Sequence, residues 1–364
     1  MSTRSTTMGL LWAILILGGR SWALSPANVP SLGAPVEIRL GGRTPMISSA
    51  AVDAAGRLFL VDQGHAQVLV YTPEGKLLRT IGGAGEGHGR FLLPLNLSVW
   101  GDTLAVFDLD DHSLQLFSAS TGRFCQALKC PKASYPGEGF FITPQRVVFT
   151  AIGFPAMPVP GQPVEAWLLF STLWNGTGLR VNELRHFSAG GYERSHEAEW
   201  ASWGYCTPWG QGRWAVTHAL PRKITVLDQE GRTIRTSEAE PASDAELPVV
   251  VGTIQETKRA LANARKVIGL VPAGPWLGVI WEQRRQKVPF EVEWLDEELR
   301  SVATKPVPAL SSLSLTNDDS CDIEATDAFG RVYLLVCHDH GNFSFSSRLY
   351  VLHLTLPEKG HGSG

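Results

Sequence analysis

Nothing in the 364 residues spells out a reaction. There is no Gly-x-Ser-x-Gly elbow, no His-Glu-x-x-His, no phosphate loop and no dinucleotide-binding glycine pattern, so the short motifs that place a nucleophile, a catalytic zinc or a phosphate are missing. The glycines of residues 82–89 form a connection rather than a phosphate cradle, because no helix pattern follows them. Beyond the first residues no segment is apolar enough to span a bilayer. Helical periodicity is scarce, and the dominant spacing of apolar residues is two.

The first 23 residues read as an export signal. Arg4 precedes the apolar run Gly9 to Leu17, and Ser21-Trp22-Ala23 supplies small residues at the two positions a signal peptidase reads. The expected location is secreted or periplasmic. No Cys follows the cleavage point, which argues against a lipid anchor. The signal carries two arginines and no acid, so the mature chain has 30 basic and 35 acidic residues and a net charge of −5. That balance excludes a generally basic, nucleic-acid-type surface.

Self-similarity organises the rest. Asp53-Ala54-Ala55-Gly56-Arg57-Leu58-Phe59-Leu60-Val61 returns as Asp327-Ala328-Phe329-Gly330-Arg331-Val332-Tyr333-Leu334-Leu335, and Glu74-Gly75-Lys76-Leu77-Leu78-Arg79-Thr80 returns as Glu230-Gly231-Arg232-Thr233-Ile234-Arg235-Thr236. Repeats at this spacing mark a propeller-type array. Short β-branched and aromatic runs separated by polar turns make four-stranded units, the first covering Ser48 to Ile81 and the second Leu95 to Leu128. Looser units follow over 140–184, 204–236 and 266–307, and a sixth over 321–356 shows only three clear strands. The segment Pro35 to Leu40 is a spare strand, and placing it in the last sheet closes a ring and removes exposed sheet edges. The fold class is therefore an all-β, six-bladed propeller over residues 35–358, after a linker at 24–34 and before a tail at 359–364. Thr253-Ile254-Gln255-Glu256 matches a capping box ahead of an Ala, Leu, Lys and Arg-rich stretch, which predicts a short helix over about 254–266 between blades four and five.

Five cysteines survive export: Cys125, Cys130, Cys206, Cys321 and Cys337. Cys321 and Cys337 lie equally far on either side of the turn centred on Phe329, so a regular hairpin would set them face to face as a disulfide. Cys125 and Cys130 are the second expected pair, which leaves Cys206 as a buried free thiol.

The passage Gly56 to Asp62, then Gln67 to Tyr71, then Gly75 to Gly82, resembles an NHL repeat of the six-bladed, TolB-like propellers. The glycine-rich tail Gly85 to Phe91 and Pro94 resemble that family's link into the next blade. The match is good over the first two units, partial over the fourth and sixth and poor over the third and fifth. Where the family usually has Asn, this chain has His65 and Asp111. The resemblance implies a propeller whose loops and channel bind ligands. Its members include protein-binding scaffolds, sensor domains and a metal-using amidating lyase, and related propellers include calcium-dependent lactonases. The fold alone selects none of these.

In such a ring the inter-blade links and the loops between second and third strands share one face around the channel mouth. That face gathers Asp62 and His65 from blade one, Asp108, Asp110 and His112 from blade two, His218 and Arg222 from blade four, Arg284 from blade five, and His338 and His340 from blade six. Each also has a structural reading, since Asp accepts backbone N–H bonds at turns and a His-x-His run fits a solvated loop. Trp200, Trp203, Trp209 and Trp214 fit either a ligand-lining cluster or packing between blades. The favoured expectation is an exported, non-catalytic binding propeller that holds a protein, peptide or glycan, as a monomer and without a cofactor. The alternative is a metal-dependent hydrolase or lyase with calcium or zinc held by Asp62, Asp108, His218 and His338.

Overall fold

Short apolar runs broken by turn residues pair in chain order. The computed structural model describes residues 29–40, 46–129, 134–142, 146–153, 166–174, 179–187, 204–218, 223–229, 232–237, 265–284, 289–316, 318–341 and 344–357. The export signal, Cys130, Trp200, Trp203, Arg222 and residues 254–264 of the expected helix lie outside them.

Five sheets are four-stranded antiparallel meanders. Blade one is β3 (Ile47–Val52), β4 (Leu58–Asp62), β5 (Gln67–Tyr71) and β6 (Leu77–Gly82). Blade two is β7 (Pro94–Trp100), β8 (Thr103–Asp108), β9 (Ser113–Ser118) and β10 (Phe124–Lys129). Blade three is β11 (Ser134–Ile142), β12 (Arg146–Gly153), β13 (Ala166–Trp174) and β14 (Leu179–Phe187). Blade four is β15 (Gly204–Pro208), β16 (Trp214–His218), β17 (Thr225–Leu227) and β18 (Thr233–Thr236). Blade five is β19 (Lys266–Ala273), β20 (Trp276–Glu282), β21 (Phe290–Leu295) and β22 (Ser301–Pro306).

The remaining sheet is built from both ends of the chain. It contains β23 (Asp319–Thr326), β24 (Arg331–Gly341) and β25 (Ser344–Thr355), with β1 (Ser31–Leu32) and β2 (Val36–Ile38) both paired to β25. The expected pairing of the N-terminal segment with the last sheet is thus present. Residues 31–32, expected in a linker, also pair there. First strands touch in sequence, β3 to β7, β11, β15, β19, β23 and back to β3, so the sheets form the ring of an all-β propeller.

Strands in this ring are apolar on both faces because each sheet packs on two neighbours. In blade one, Phe59, Val61, Val68 and Val70 face blade two with Leu97, Val106 and Phe117. Leu58, Leu60, Leu69 and Tyr71 face the closing sheet with Tyr333, Leu335 and Leu349. Each fully buried side chain of this kind contributes about 1.5–3 kcal/mol. Trp209, 1% exposed, packs between blades four and five, so core packing explains it. Gly269 lets blade five approach the closing sheet, since a Cβ there would lie 2.4 Å from Ile323 Cβ.

The repeated sequence encodes a turn. Asp53 Oδ1 accepts the Ala55 and Arg57 N–H groups at 3.0 and 2.8 Å, and its Oδ2 accepts Arg57 Nε at 2.6 Å. The same Asp-to-Arg bonds recur at Asp228–Arg232, Asp296–Arg300 and Asp327–Arg331.

The helix expected over about 254–266 lies outside the described residues except at its end, where Lys266 begins β19 instead. The one α-helix among the described residues is the single turn α1 (Pro308–Ser311).

No disulfide joins Cys321 and Cys337, and both are free. A β-bulge at Glu324 shifts the β23–β24 register by one, so Cys321 opposes Val336 and Cys337 opposes Ser320. A one-residue slip reverses the faces. Cys321 accordingly packs toward blade five and Cys337 toward blade one. Cys125 is also free and exposed. Its expected partner, Cys130, lies outside the described residues.

Candidate functional site

The register sets one end of the ring. The first residue of each inner strand opposes the last residues of the second strand: Ile47 faces Asp62, Pro94 faces Asp108, Gly204 faces His218, Lys266 faces Glu282 and Asp319 faces His338. Asp62, Asp108, His218 and His338 therefore do share the rim expected from the sequence. Glu282 occupies the same place and was missed, although its register equivalence to Asp62 was a readable signal.

The described rim side chains bind their own neighbours. Asp108 is fully buried and accepts the Leu92 and Leu93 N–H groups at 2.8 and 2.9 Å, tying down the link into blade two. Asp62 Oδ2 lies 2.7 Å from His65 Nδ1 and accepts Gln67 Nε2 at 2.9 Å. His112 sits in the left-handed region with φ +45°, and Asp110 beside it is exposed. His338 Nδ1 lies 3.1 Å from Asp319 Oδ1, while Asp319 Oδ2 accepts the Thr316 N–H and hydroxyl at 2.5 and 2.8 Å. Burial works against the Asp319 carboxylate, but the Thr316 bonds and His338 outweigh it and hold its pKa below the ordinary value. His340 Nε2 lies 3.0 Å from Ser346 Oγ, and its ring meets His338 edge to face.

Arg284 latches blade five to the closing sheet. Its Nε lies 2.5 Å from Glu282 Oε1, Nη2 donates to Asp319 O at 2.6 Å, and Nη1 donates to Thr316 O. Lys266 Nζ approaches the other Glu282 oxygen at 3.2 Å. Burial pulls the Lys266 ammonium down, but Glu282 and Asp322 outweigh that and its pKa is raised.

Below the rim, bulges lace the inner strands together. Ser48, the extra residue of β3, donates its hydroxyl to the carbonyl of Leu95, the extra residue of β7, at 2.7 Å. Glu324, the extra residue of β23, accepts the Ala50 N–H of β3 at 2.9 Å. The Tyr205 hydroxyl donates to Asp322 Oδ1 at 2.7 Å, joining blade four to the closing sheet past β19. Burial, reinforced by Asp322, pushes the Glu324 carboxyl up to about 8 against the bonds from Ala50 and Ser49. Burial likewise pushes the Cys206 thiol up to about 12. Lys266, Asp322, Glu324 and Tyr205 were not foreseen, because their sequence neighbourhood carries no motif.

Asp108 already spends both oxygens on backbone N–H groups, and among the described residues no group of three or more His, Cys, Asp or Glu is arranged to hold an ion.

No family model and no curated protein matches the chain. Solved structures do. A member of the DUF4221 family from Bacteroides vulgatus aligns over 90% of this chain and 99% of its own, with a TM-score of 0.57 at 9% identity. A protein from Bacteroides fragilis, named as exported, aligns over 90% and 96% with a TM-score of 0.54 at 9% identity. A streptogramin B lyase aligns over 91% and 99% with a TM-score of 0.50 at 9% identity. At that identity the likeness concerns the fold alone. Among the described residues no helix is long and apolar enough to cross a membrane.

Proposed function

We propose that this chain is an exported, non-catalytic propeller that holds a protein, peptide or glycan on the mouth face of its ring. In this reading the sheet built from both chain ends counts as a sixth blade, in keeping with the NHL resemblance. The observation that carries the reading is the state of the rim. Asp62, Asp108, Glu282 and Asp319 are buried and engaged with their own neighbours. A catalytic centre needs its nucleophile, base and stabilising donors convergent on one reacting atom. The rim instead fixes the frame from which the more exposed His65, Asp110 and His340 project.

Export rests on the apolar run after Arg4, and a fold neighbour is itself named as exported. The metal-dependent alternative has weaker support, because both Asp108 oxygens already accept backbone N–H bonds and no group of three or more His, Cys, Asp or Glu among the described residues is arranged to hold an ion.

The test is capture from peptide and glycan arrays by the mature protein. Joint substitution of His65, Asp110 and His340 by Ala is expected to abolish capture, while Phe329→Ala on the opposite face leaves it intact. No capture by the wild type, or equal loss in both variants, counts against the reading.

A further inference from the structure

The ring closes where the two chain ends meet, and that seam has no strand pairing. The closing sheet and blade one are separate hydrogen-bonded sheets. Side chains of the closing sheet reach the backbone of blade one instead. Ser347 Oγ donates to Ile47 O at 2.8 Å, and the Cys337 thiol approaches the same carbonyl at 3.5 Å. At the opposite end Arg331 donates to the carbonyls of Pro73 and Gly56 at 3.3 and 3.4 Å. Midway, Glu324 accepts the Ala50 N–H at 2.9 Å. Among these described bonds, only the one made by Glu324 puts an acid at the seam.

We propose that Glu324 is a protonation-sensitive clasp on this seam: neutral, it holds the closing sheet to blade one through Ala50; ionised, it adds a second negative charge beside Asp322 and favours opening.

The surroundings set the sign. On β23 the group that acts on Glu324 is Asp322, which is an acid. On β3 the groups are the Ala50 N–H and Ser49, neither of which supplies a compensating charge. Lys266 on β19 is held by Asp322 and by Glu282, which lies 3.2 Å from it and whose other oxygen binds Arg284. Tyr205 on β15 uses its hydroxyl on Asp322 rather than on Glu324. Ionised Glu324 is thus half-buried beside a like charge, with no cation among the groups that act on it, a costly arrangement.

Opening the seam returns Glu324 to water and to ordinary carboxylate acidity. In the closed ring it keeps its proton up to about pH 8. Between those limits opening releases a proton, so the opening equilibrium grows by about tenfold per pH unit and levels off above.

Hydrogen exchange on the mature protein tests this from about pH 5 to about pH 9. In the wild type, protection of segments 47–52 and 319–326, referenced to blade-two segments, is expected to fall with pH and then level off. In Glu324→Gln, whose amide oxygen still accepts the Ala50 N–H, protection is expected to stay high and independent of pH. Identical pH profiles in the two proteins overturn the proposal. A second measurement does not depend on the variant folding: a Glu324 carboxyl carbon that titrates by NMR in the ordinary carboxylate range also overturns it.

Discussion

Arg331 donates through Nε to Asp327 Oδ2 at 2.5 Å and reaches out of its own sheet to the carbonyls of Pro73 and Gly56 in blade one. The same Asp–Arg turn occurs at Asp296–Arg300, where the guanidinium is 72% exposed against 16% for Arg331. One local motif therefore serves two purposes, a plain turn in blade five and a staple across the seam in the closing sheet.

Exposure decides what each arginine contributes. Arg331→Ala leaves the buried Asp327 carboxylate without its partner and removes the staple, so a loss of about 3 kcal/mol is expected. Arg300→Ala removes a pair screened by water, and no change outside experimental error is expected. Urea denaturation of the two variants beside the wild type measures the contrast. Equal losses would show that the seam contacts of Arg331 carry no weight.

The sequence displayed these turns only in part. Asp53–Arg57 and Asp327–Arg331 stand out because Gly56 and Gly330 mark their left-handed positions, with φ near +76° and +75°. The blade-five copy is masked because Leu299 takes that position at φ +62°. Leu299 is 8% exposed and sits in the core between blades four and five, so packing offsets the backbone cost that usually selects glycine. The rim was legible for the same reason as the blades: strand ends fall at regular spacing, which put Asp62, Asp108, His218 and His338 together. The lumen was not legible. Glu282 ends the apolar run Trp276–Glu282, and Lys266 begins β19 where the pattern read as helix.

Register was the other blind spot, and thiol chemistry checks its correction. The bulge at Glu324 leaves no mark in an alternating pattern, yet it sends Cys321 and Cys337 to opposite faces of one sheet. Mass spectrometry of the unreduced protein is expected to find no Cys321–Cys337 cross-link. Alkylation of the native protein, read peptide by peptide, is expected to label the exposed Cys125 quickly and to spare Cys206 and Cys321. Burial raises both of these thiol pKa values, so little reactive thiolate forms near neutral pH. Recovery of a 321–337 cross-linked peptide would overturn the register.

Two acids of β23, Glu324 and Asp319, pull stability in opposite directions with pH. Glu324, with its pKa raised, favours the folded ring most at low pH, and that contribution is lost as pH rises toward about 8. Asp319 behaves in the reverse sense. Burial disfavours its charge, but the Thr316 bonds and His338 overcome this and lower its pKa. The folded state then prefers the ionised form, so its contribution is complete above the ordinary carboxylate range and is lost as pH falls through the depressed folded value. Asp319→Asn is therefore expected to lower stability at neutral pH and to flatten the acid limb of a stability–pH curve measured by urea denaturation. Thr316→Val, which removes the hydroxyl bond but keeps the N–H, is expected to give a smaller change of the same sign. An unchanged acid limb in Asp319→Asn would mean that the Thr316–Asp319–His338 network does not hold the rim, and the fixed frame assigned to the mouth face would lose its support on that side of the ring.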